Sequence, residues 1–193
     1  MMKPENYCFH TRNLTYSPLS LRDSDKLHNL WTSEALCESL WGDDIISKEQ
    51  SKTIINESKK LFRKEKLGLW SVKLKKTNLL LGFGGLWYLY EPPERQLIFA
   101  VDKRFRGDGY GTEIARAIVH FGFKYCNMPE IIGSNSSNNI AASRVLQKAG
   151  MLYNKQVLHN RVKTNYYEIP KSRWSRDRSL EFAFSNESSA QAS

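Results

Sequence analysis

The sequence predicts an α+β domain, a mostly antiparallel sheet flanked by helices, and three observations predict it. Between Leu69 and Val101, three apolar runs are joined by connections of only a few residues, Lys75-Lys76-Thr77-Asn78 and Glu91-Pro92-Pro93-Glu94. Connections that short join antiparallel neighbours. Beyond Val101 the pattern changes to helical periodicity, a short strand, and helical periodicity again. A closing pair of runs, Met151 to Leu158 and Arg161 to Ile169, meets across His159-Asn160 as a hairpin. Strands and helices thus fall into separate groups along much of the chain, which is the α+β arrangement.

The elements follow in order. Leu14 and Tyr16 alternate with polar neighbours in a first strand, Asn13 to Ser20, that ends at Pro18. Asp23 or Ser24 caps a helix with Leu27, Leu30 and Trp31 on one side. A second short helix holds Leu36, Cys37 and Leu40, and Trp41-Gly42-Asp43-Asp44 breaks it. Ser47, with Gln50 three residues on, forms a capping box. The helix it opens runs to about Lys66 on a stripe of Ile54, Ile55, Leu61 and Phe62. Trp70, Val72 and Leu74 share one face of the next strand. The strand from Leu79 to Tyr90 contains Gly82, Gly84 and Gly85, which suggest a bulge or a close approach by another segment.

Ile98 to Val101 is a short buried strand that feeds a basic, glycine-rich turn and then a helix from near Tyr110 to about Cys126. Asn127-Met128-Pro129 ends that helix and Glu130 to Ser134 is the next strand. The polar loop Asn135-Ser136-Ser137-Asn138 precedes a helix opened by Asn139 and stopped at Gly150. Residues 1–170 make one domain. Residues 171–193 are a tail, basic and then serine-rich, in which Leu180, Phe182 and Phe184 alternate as an edge strand would.

Charge and composition narrow the function classes. The 193 residues are 40% hydrophobic and 25% charged, enough for one buried domain and short for two. No apolar run has the length of a membrane span, and Met1 to His10 lacks the apolar stretch of a secretory signal. The odd, scattered Cys8, Cys37 and Cys126 show no metal spacing and point to a reduced, cytoplasmic setting. Cys126 reads as a packing residue. The net charge of +9 is either a solvated surface or an attraction to an acidic partner such as ribosomal RNA. It argues mildly against a polycationic substrate.

The motif with chemical content is the glycine turn. Gly107, Gly109 and Gly111 allow a sharp turn and close backbone approach, and the helix behind them directs unpaired N–H groups toward it. Strand, turn and helix N-terminus together form an anion site suited to a pyrophosphate. The order fits neither a dinucleotide loop nor a Walker loop. It fits Arg/Gln-x-x-Gly-x-Gly/Ala, met by Arg106, Gly109 and Gly111. On these residues the chain resembles the GNAT superfamily of acyl-CoA-dependent N-acetyltransferases. The run Arg106-Gly107-Asp108-Gly109-Tyr110-Gly111-Thr112-Glu113 is similar to the ribosomal-protein (alanine/serine) branch. So is the second block, Asn139-Ile140-Ala141-Ala142-Ser143-Arg144-Val145-Leu146-Gln147-Lys148-Ala149-Gly150-Met151.

The resemblance implies the GNAT fold, a mixed sheet whose two parallel strands splay to hold the pantetheine arm of acetyl-CoA, with no metal. It implies pyrophosphate donors along Gly107, Asp108, Gly109, Tyr110, Gly111 and Thr112, with charge from Arg104 or Arg106. Asp108 departs from the basic or amide residue usual there. Phe99 and Val101 are implied as backbone partners of the arm, the N–H of Ala100 or Val101 as the thioester's donor, and Asn139 as a further contact or a helix cap. In the family the early helices flank the acceptor cleft, so Trp31, Trp41, Asp43 and Asp44 either line it or serve as core and loop.

The proton-handling positions depart from the pattern. The branch's serine is replaced by Ala142, a tyrosine of more general members by Leu146, and a strand glutamate by Gln96. Ser143 is the neighbouring hydroxyl, although one helical position is about 100° of rotation. Glu94, on the same strand face as Gln96, is the first candidate base, with Glu91 or a water chain as alternatives. A peptide α-amine (pKa about 7.7–8.0) needs a base less than a lysine (about 10.4) does. The expected activity is therefore transfer of acetyl from acetyl-CoA to a primary amine, first a protein or peptide N-terminus. A small amine (aminoglycoside or polyamine) and a non-catalytic CoA-binding sensor are the alternatives. The chain is expected to act as a monomer or homodimer, away from membranes.

Overall fold

The computed structural model describes residues 7–32, 46–89, 93–159 and 161–175. An eight-stranded sheet runs through it: β1 (Phe9–His10), β2 (Leu14–Pro18), β3 (Leu69–Leu74), β4 (Leu80–Leu89), β5 (Glu94–Val101), β6 (Glu130–Ser136), β7 (Leu152–His159) and β8 (Val162–Pro170). The spatial order is β1-β2-β3-β4-β5-β6-β8-β7. Every described pairing is antiparallel except β5 with β6. The helices are α1 (Ser24–Trp31), α2 (Lys48–Glu65), α3 (Tyr110–Tyr125) and α4 (Ile140–Lys148). Among the described residues, no helix is long and apolar enough to cross a membrane.

Strand alternation sorts side chains onto two faces. Leu14, Tyr16, Trp70, Val72, Leu97, Val101 and Ile131 pack with α3 on one face. Leu69, Phe83, Ile98 and Ala100 pack with Leu27, Leu30 and Trp31 of α1 and Ile55 of α2 on the other. Trp70 centres the larger core, with edge contacts to Phe62 at 4.7 Å and Phe121 at 4.8 Å between ring centroids. Its Nε1 donates to the Tyr7 carbonyl at 2.8 Å, which satisfies the one polar atom such a side chain brings inside. Trp31 is fully buried and so belongs to the core. Trp41, Asp43, Asp44 and the short helix expected around Leu36 lie outside the described residues, as do Glu91 and the run Leu180 to Phe184.

Several local expectations meet their chemistry here. Ser47 and Gln50 form the reciprocal capping box, at 3.1 Å and 2.6 Å. Asp23 precedes α1 without a side-chain cap; its carboxylate instead meets Lys73 at 3.2 Å. The buried stripe of α2 is Ser51, Ile55, Ser58 and Phe62, not the all-apolar set expected. Hydrophobic periodicity misses the serines because each is hydrogen-bonded inside: Ser58 Oγ accepts from the Leu69 N–H at 2.8 Å, and Ser51 Oγ donates to the Ser47 carbonyl at 3.1 Å. The strand from Glu130 runs two residues beyond Ser134, because Asn135 and Ser136 pair with Asn165 and Thr164 of β8. Sheet pairing there overrides a polar, loop-like sequence.

Past Pro170 the chain stays packed through Trp174, whose ring lies 5.2 Å from His120 and 5.5 Å from Phe123. On β4, the expected close approach and bulge both occur. A register shift sits between Val72 and Lys73, and a Cβ on Gly85 would lie 2.1 Å from the Gly68 carbonyl oxygen. Backbone cannot yield there as a flexible side chain could. Gly85→Ala is expected to lower the unfolding free energy by about 1–3 kcal/mol, read from urea denaturation; an unchanged midpoint would contradict the packing.

Candidate active site

β5 and β6 are registered at only two positions, Gln96 with Ile132 and Leu97 with Gly133. Beyond them, Ile98 to Val101 stay with β4 while Ser134 to Ser136 stay with β8. A slot therefore opens between the strands, about 13 Å long at roughly 3.3 Å per residue. Which backbone groups face it follows from the ladder. The Asp102 N–H donates to the Leu81 carbonyl at 2.8 Å, so the even-numbered residues of β5 bond to β4. Phe99 and Val101 turn their N–H and C=O groups toward the slot. Ala100 turns its own into the sheet, which corrects the expectation that its N–H serves a ligand.

The turn after β5 is built by Asp102. Its Oδ1 accepts from the Arg104 N–H at 2.9 Å and opens a short 3-10 turn, Lys103–Phe105. The Arg104 side chain folds back on the same carboxylate, at 3.1 and 2.9 Å. The hydrogen-bonded guanidinium of Arg104 holds the Asp102 carboxyl below its usual range. Arg104 therefore leaves the glycine turn; it borders a separate cavity of about 560 Å³ beside α1, with Lys26 and Lys103. Arg106 does face the slot, its Nε donating to the Val101 carbonyl at 3.0 Å.

Gly107 (φ 95°) and Gly109 (φ 83°) adopt the left-handed backbone that side chains resist. Gly109 caps α3 without any side-chain bond, so the first N–H groups of α3 are left for a ligand. Glu113, in that first turn, is held elsewhere: it accepts from Thr11 Oγ1 at 2.5 Å and from Asn13 N and Nδ2 at 2.9 Å. Gly111 lets α4 come close, since a Cβ there would meet Val145 Cγ2 at 3.3 Å. Arg116 ties the helices together by donating to the Lys148 carbonyl at 3.1 and 2.9 Å.

These elements enclose a cavity of about 330 Å³. Phe99, Ala100, Val101, Arg106, Gly107, Gly109, Tyr110, Gly111, Thr112 and Asn139 line it, as does Ala142. Asp108 is exposed and outside the lining. Asn139 also caps α4, its Oδ1 accepting from the Ala142 N–H at 3.0 Å. Sequence reasoning missed Phe105, Arg144, Val145 and Lys148. The signal was there in the two cations, one helical turn apart on the helix opened by Asn139. With Arg106, the N-terminus of α3 and no carboxylate among the described lining residues, the cavity suits an anion.

The expected proton handlers sit differently. Ser143 Oγ is bonded to Asn135 Nδ2 at 3.1 Å and does not line the cavity. The rotation of one helical position has turned it onto β6, so it is a brace. Leu146 is buried against Gly133. Glu94 accepts from Gln96 Nε2 at 2.7 Å and does not line the described cavity. The described residues contain no group of metal-ligating side chains.

Comparison with known proteins agrees with this geometry. Residues 13–152 match the acetyltransferase (GNAT) domain family. The chain is 23% identical over 141 residues to the uncharacterized N-acetyltransferase YnaD of Bacillus subtilis, covering 73% of this chain and 80% of that one. Its fold is similar to RimL, a ribosomal L7/L12 α-N-protein acetyltransferase solved with coenzyme A (TM-score 0.70, 15% identity, 83% and 95% of the two chains). It is equally similar to the Vibrio cholerae spermidine N-acetyltransferase solved with CoA and spermine (TM-score 0.69, 15% identity, 83% and 96%).

Cys126 is no nucleophile in this arrangement. Burial raises its thiol to about 11, so at neutral pH it is almost wholly protonated and unreactive. Iodoacetamide at pH 7.5 is expected to leave Cys126 unmodified in the native protein and to label it after unfolding, as read by peptide mass spectrometry. Native labelling at that pH would contradict the packing.

Proposed function

The chain belongs to the GNAT family of acyl-CoA-dependent acetyltransferases, and we propose that it moves the acetyl group of acetyl-CoA directly to a primary amine at a peptide or protein N-terminus. The observation that supports the donor half is the join of slot and cavity. The diphosphate of CoA binds at the first N–H groups of α3, with Arg106, Arg144 and Lys148 supplying charge. From there the pantetheine arm runs along the edge of β5 toward the point where the strands close. Val101 and Phe99 offer it backbone groups in that order. The thioester ends nearest the closed end, so the Phe99 N–H, and not that of Ala100 or Val101, faces its carbonyl oxygen as negative charge develops.

The acceptor half follows from what the site lacks and carries. The three cations of the described lining belong to the donor, and it is the net charge of +9 that argues mildly against a polycationic acceptor such as a polyamine. No side chain of the described cavity is a strong base. A neutral α-amine attacks the thioester carbon, the C–N bond forms, the C–S bond breaks, and the surplus proton on nitrogen passes to the departing thiolate or to water. A thiol of pKa about 8.5 leaves without a general acid. A cytoplasmic setting, where acetyl-CoA and nascent N-termini meet, belongs to the same proposal.

Thiol release from acetyl-CoA, measured with short free-amino peptides, lysine-only peptides and polyamines, tests the proposal. For an α-amino acceptor, kcat/KM should rise with pH and level off above about 8, as the ammonium loses its proton. A profile still climbing at pH 9.5 would identify a lysine-type amine instead, and CoA binding without turnover of any amine would identify a sensor. Calorimetry should show CoA affinity falling about tenfold for Arg144→Ala and again for Lys148→Ala, consistent with a charged hydrogen bond each. Added salt should shrink the difference.

A further inference from the structure

The cavity of about 560 Å³ on the α1 side of the glycine turn has no part in the acetyl transfer derived above. Three elements meet around it: one flank of α1, the start of β4 and the 3-10 turn after β5. Its floor is apolar, with Leu30 and Leu81 buried and Leu79 still 54% exposed beside them. Lys26 on α1 and Lys103 on the turn line it from separate elements. No carboxylate among the described residues pairs with either. Asp102 supplies the one carboxylate of the described lining, and Arg104 occupies both of its oxygens. Arg104 also lies over the Phe105 ring at 5.4 Å, so the turn is braced before any ligand arrives.

A cation entering this cavity would meet no free carboxylate among the described lining residues. An anion would meet two ammonium groups, with apolar surface behind them for the rest of the molecule. The volume is that of a small-molecule site, for which about 300–1,000 Å³ is usual. Phe105 and Arg106 line both this cavity and the donor cavity, so they form the wall between the two. Arg106 is anchored in that wall by its Nε bond to the Val101 carbonyl at 3.0 Å. One guanidinium thus stands in the field of both sites. An anion in the second cavity draws on the same positive charge as the CoA diphosphate and repels that diphosphate through a thin wall. The two sites are therefore antagonistic and, by linkage, reciprocally so.

We propose that this second cavity is an effector site for a small organic anion, a phosphate or carboxylate carried on an apolar body, whose binding weakens that of CoA through Arg106. The inference rests on the donor reading of the first cavity. Lys26 and Lys103 hold the anionic group, and Leu79, Leu81 and Phe105 cover the apolar body. Since neither lysine lines the donor cavity, removing both abolishes the coupling and leaves CoA affinity itself in place.

Phenyl phosphate is the probe, used with the full chain at constant ionic strength so that screening is the same throughout. Inorganic phosphate, which lacks the apolar body, and benzylamine, which lacks the negative charge, are the controls. Titrated by calorimetry into protein saturated with CoA, phenyl phosphate should bind at one site, at least tenfold more tightly than inorganic phosphate, and benzylamine should give no heat. In the converse titration, rising phenyl phosphate should weaken CoA about threefold to tenfold and then no further, a plateau that direct competition cannot give. The double variant Lys26→Ala with Lys103→Ala should keep CoA affinity within twofold and the melting temperature unchanged, yet lose both effects of phenyl phosphate. CoA affinity that falls without limit, or no phenyl phosphate heat in the CoA-saturated protein, would overturn the second site. So would a tenfold loss of CoA affinity in the double variant without the probe, because the cavity would then belong to the donor. A wild-type protein that binds no CoA would remove the donor reading instead. In that case phenyl phosphate binding that persists in the double variant would overturn the effector site separately.

Discussion

The structure depends on how little holds its two parallel strands together. β5 is paired with β4 along its full length, from Glu94 opposite Leu89 to Val101 opposite Gly82. β6 is likewise paired with β8 from Glu130 to Ser136. Between them only two register positions join, so the sheet is two antiparallel pieces hinged at one short parallel seam. Each strand has satisfied one edge elsewhere, and its other edge is left for a guest. An extended arm with amide groups is the natural occupant, because it can bond to Phe99 and Val101 as a strand would.

The slot needs rigid walls, and side chains remote from the cavity supply them. Glu113 fastens the start of α3 to the β1–β2 turn through Thr11 and Asn13. Arg116 fastens the end of α4 to α3, and Ser143 fastens its start to β6 through Asn135. The same separation of roles applies to charge. Asp102 neutralises Arg104 locally and shapes the turn, which leaves Arg106, Arg144 and Lys148 as the cations around the cavity. Positive potential is thereby concentrated where the backbone N–H groups of α3 already favour an anion.

Where the reading of residues succeeded and where it failed has a common cause. Elements whose signal is local were legible. The capping box at Ser47, the positive-φ turn at Gly107 and Gly109, and the cap at Asn139 each depend on residues within a few positions of one another. Assignments that depended on direction failed. Arg104 looked like a phosphate ligand until its carboxylate neighbour was seen to hold it, and Ala100 lies on the right strand with the wrong backbone phase. Ser143 has the right chemistry and the wrong face of its helix. The buried serines of α2 belong here too, since polarity suggests exposure unless a partner is known.

By itself the sequence determined the order of elements, the positive-φ glycine turn and the family, because these are properties of neighbouring residues and of spacing. Only the tertiary structure decided where β5 and β6 part, which backbone groups face the gap, and that Arg144 and Lys148 join Arg106 around it. It alone brought Ser134 within 2.6 Å of Gln96, a residue 38 positions away in the chain. The physical reason is that a hydrogen bond depends on distance and angle in space. A chain of 193 residues specifies those only after every strand has chosen which edge to share.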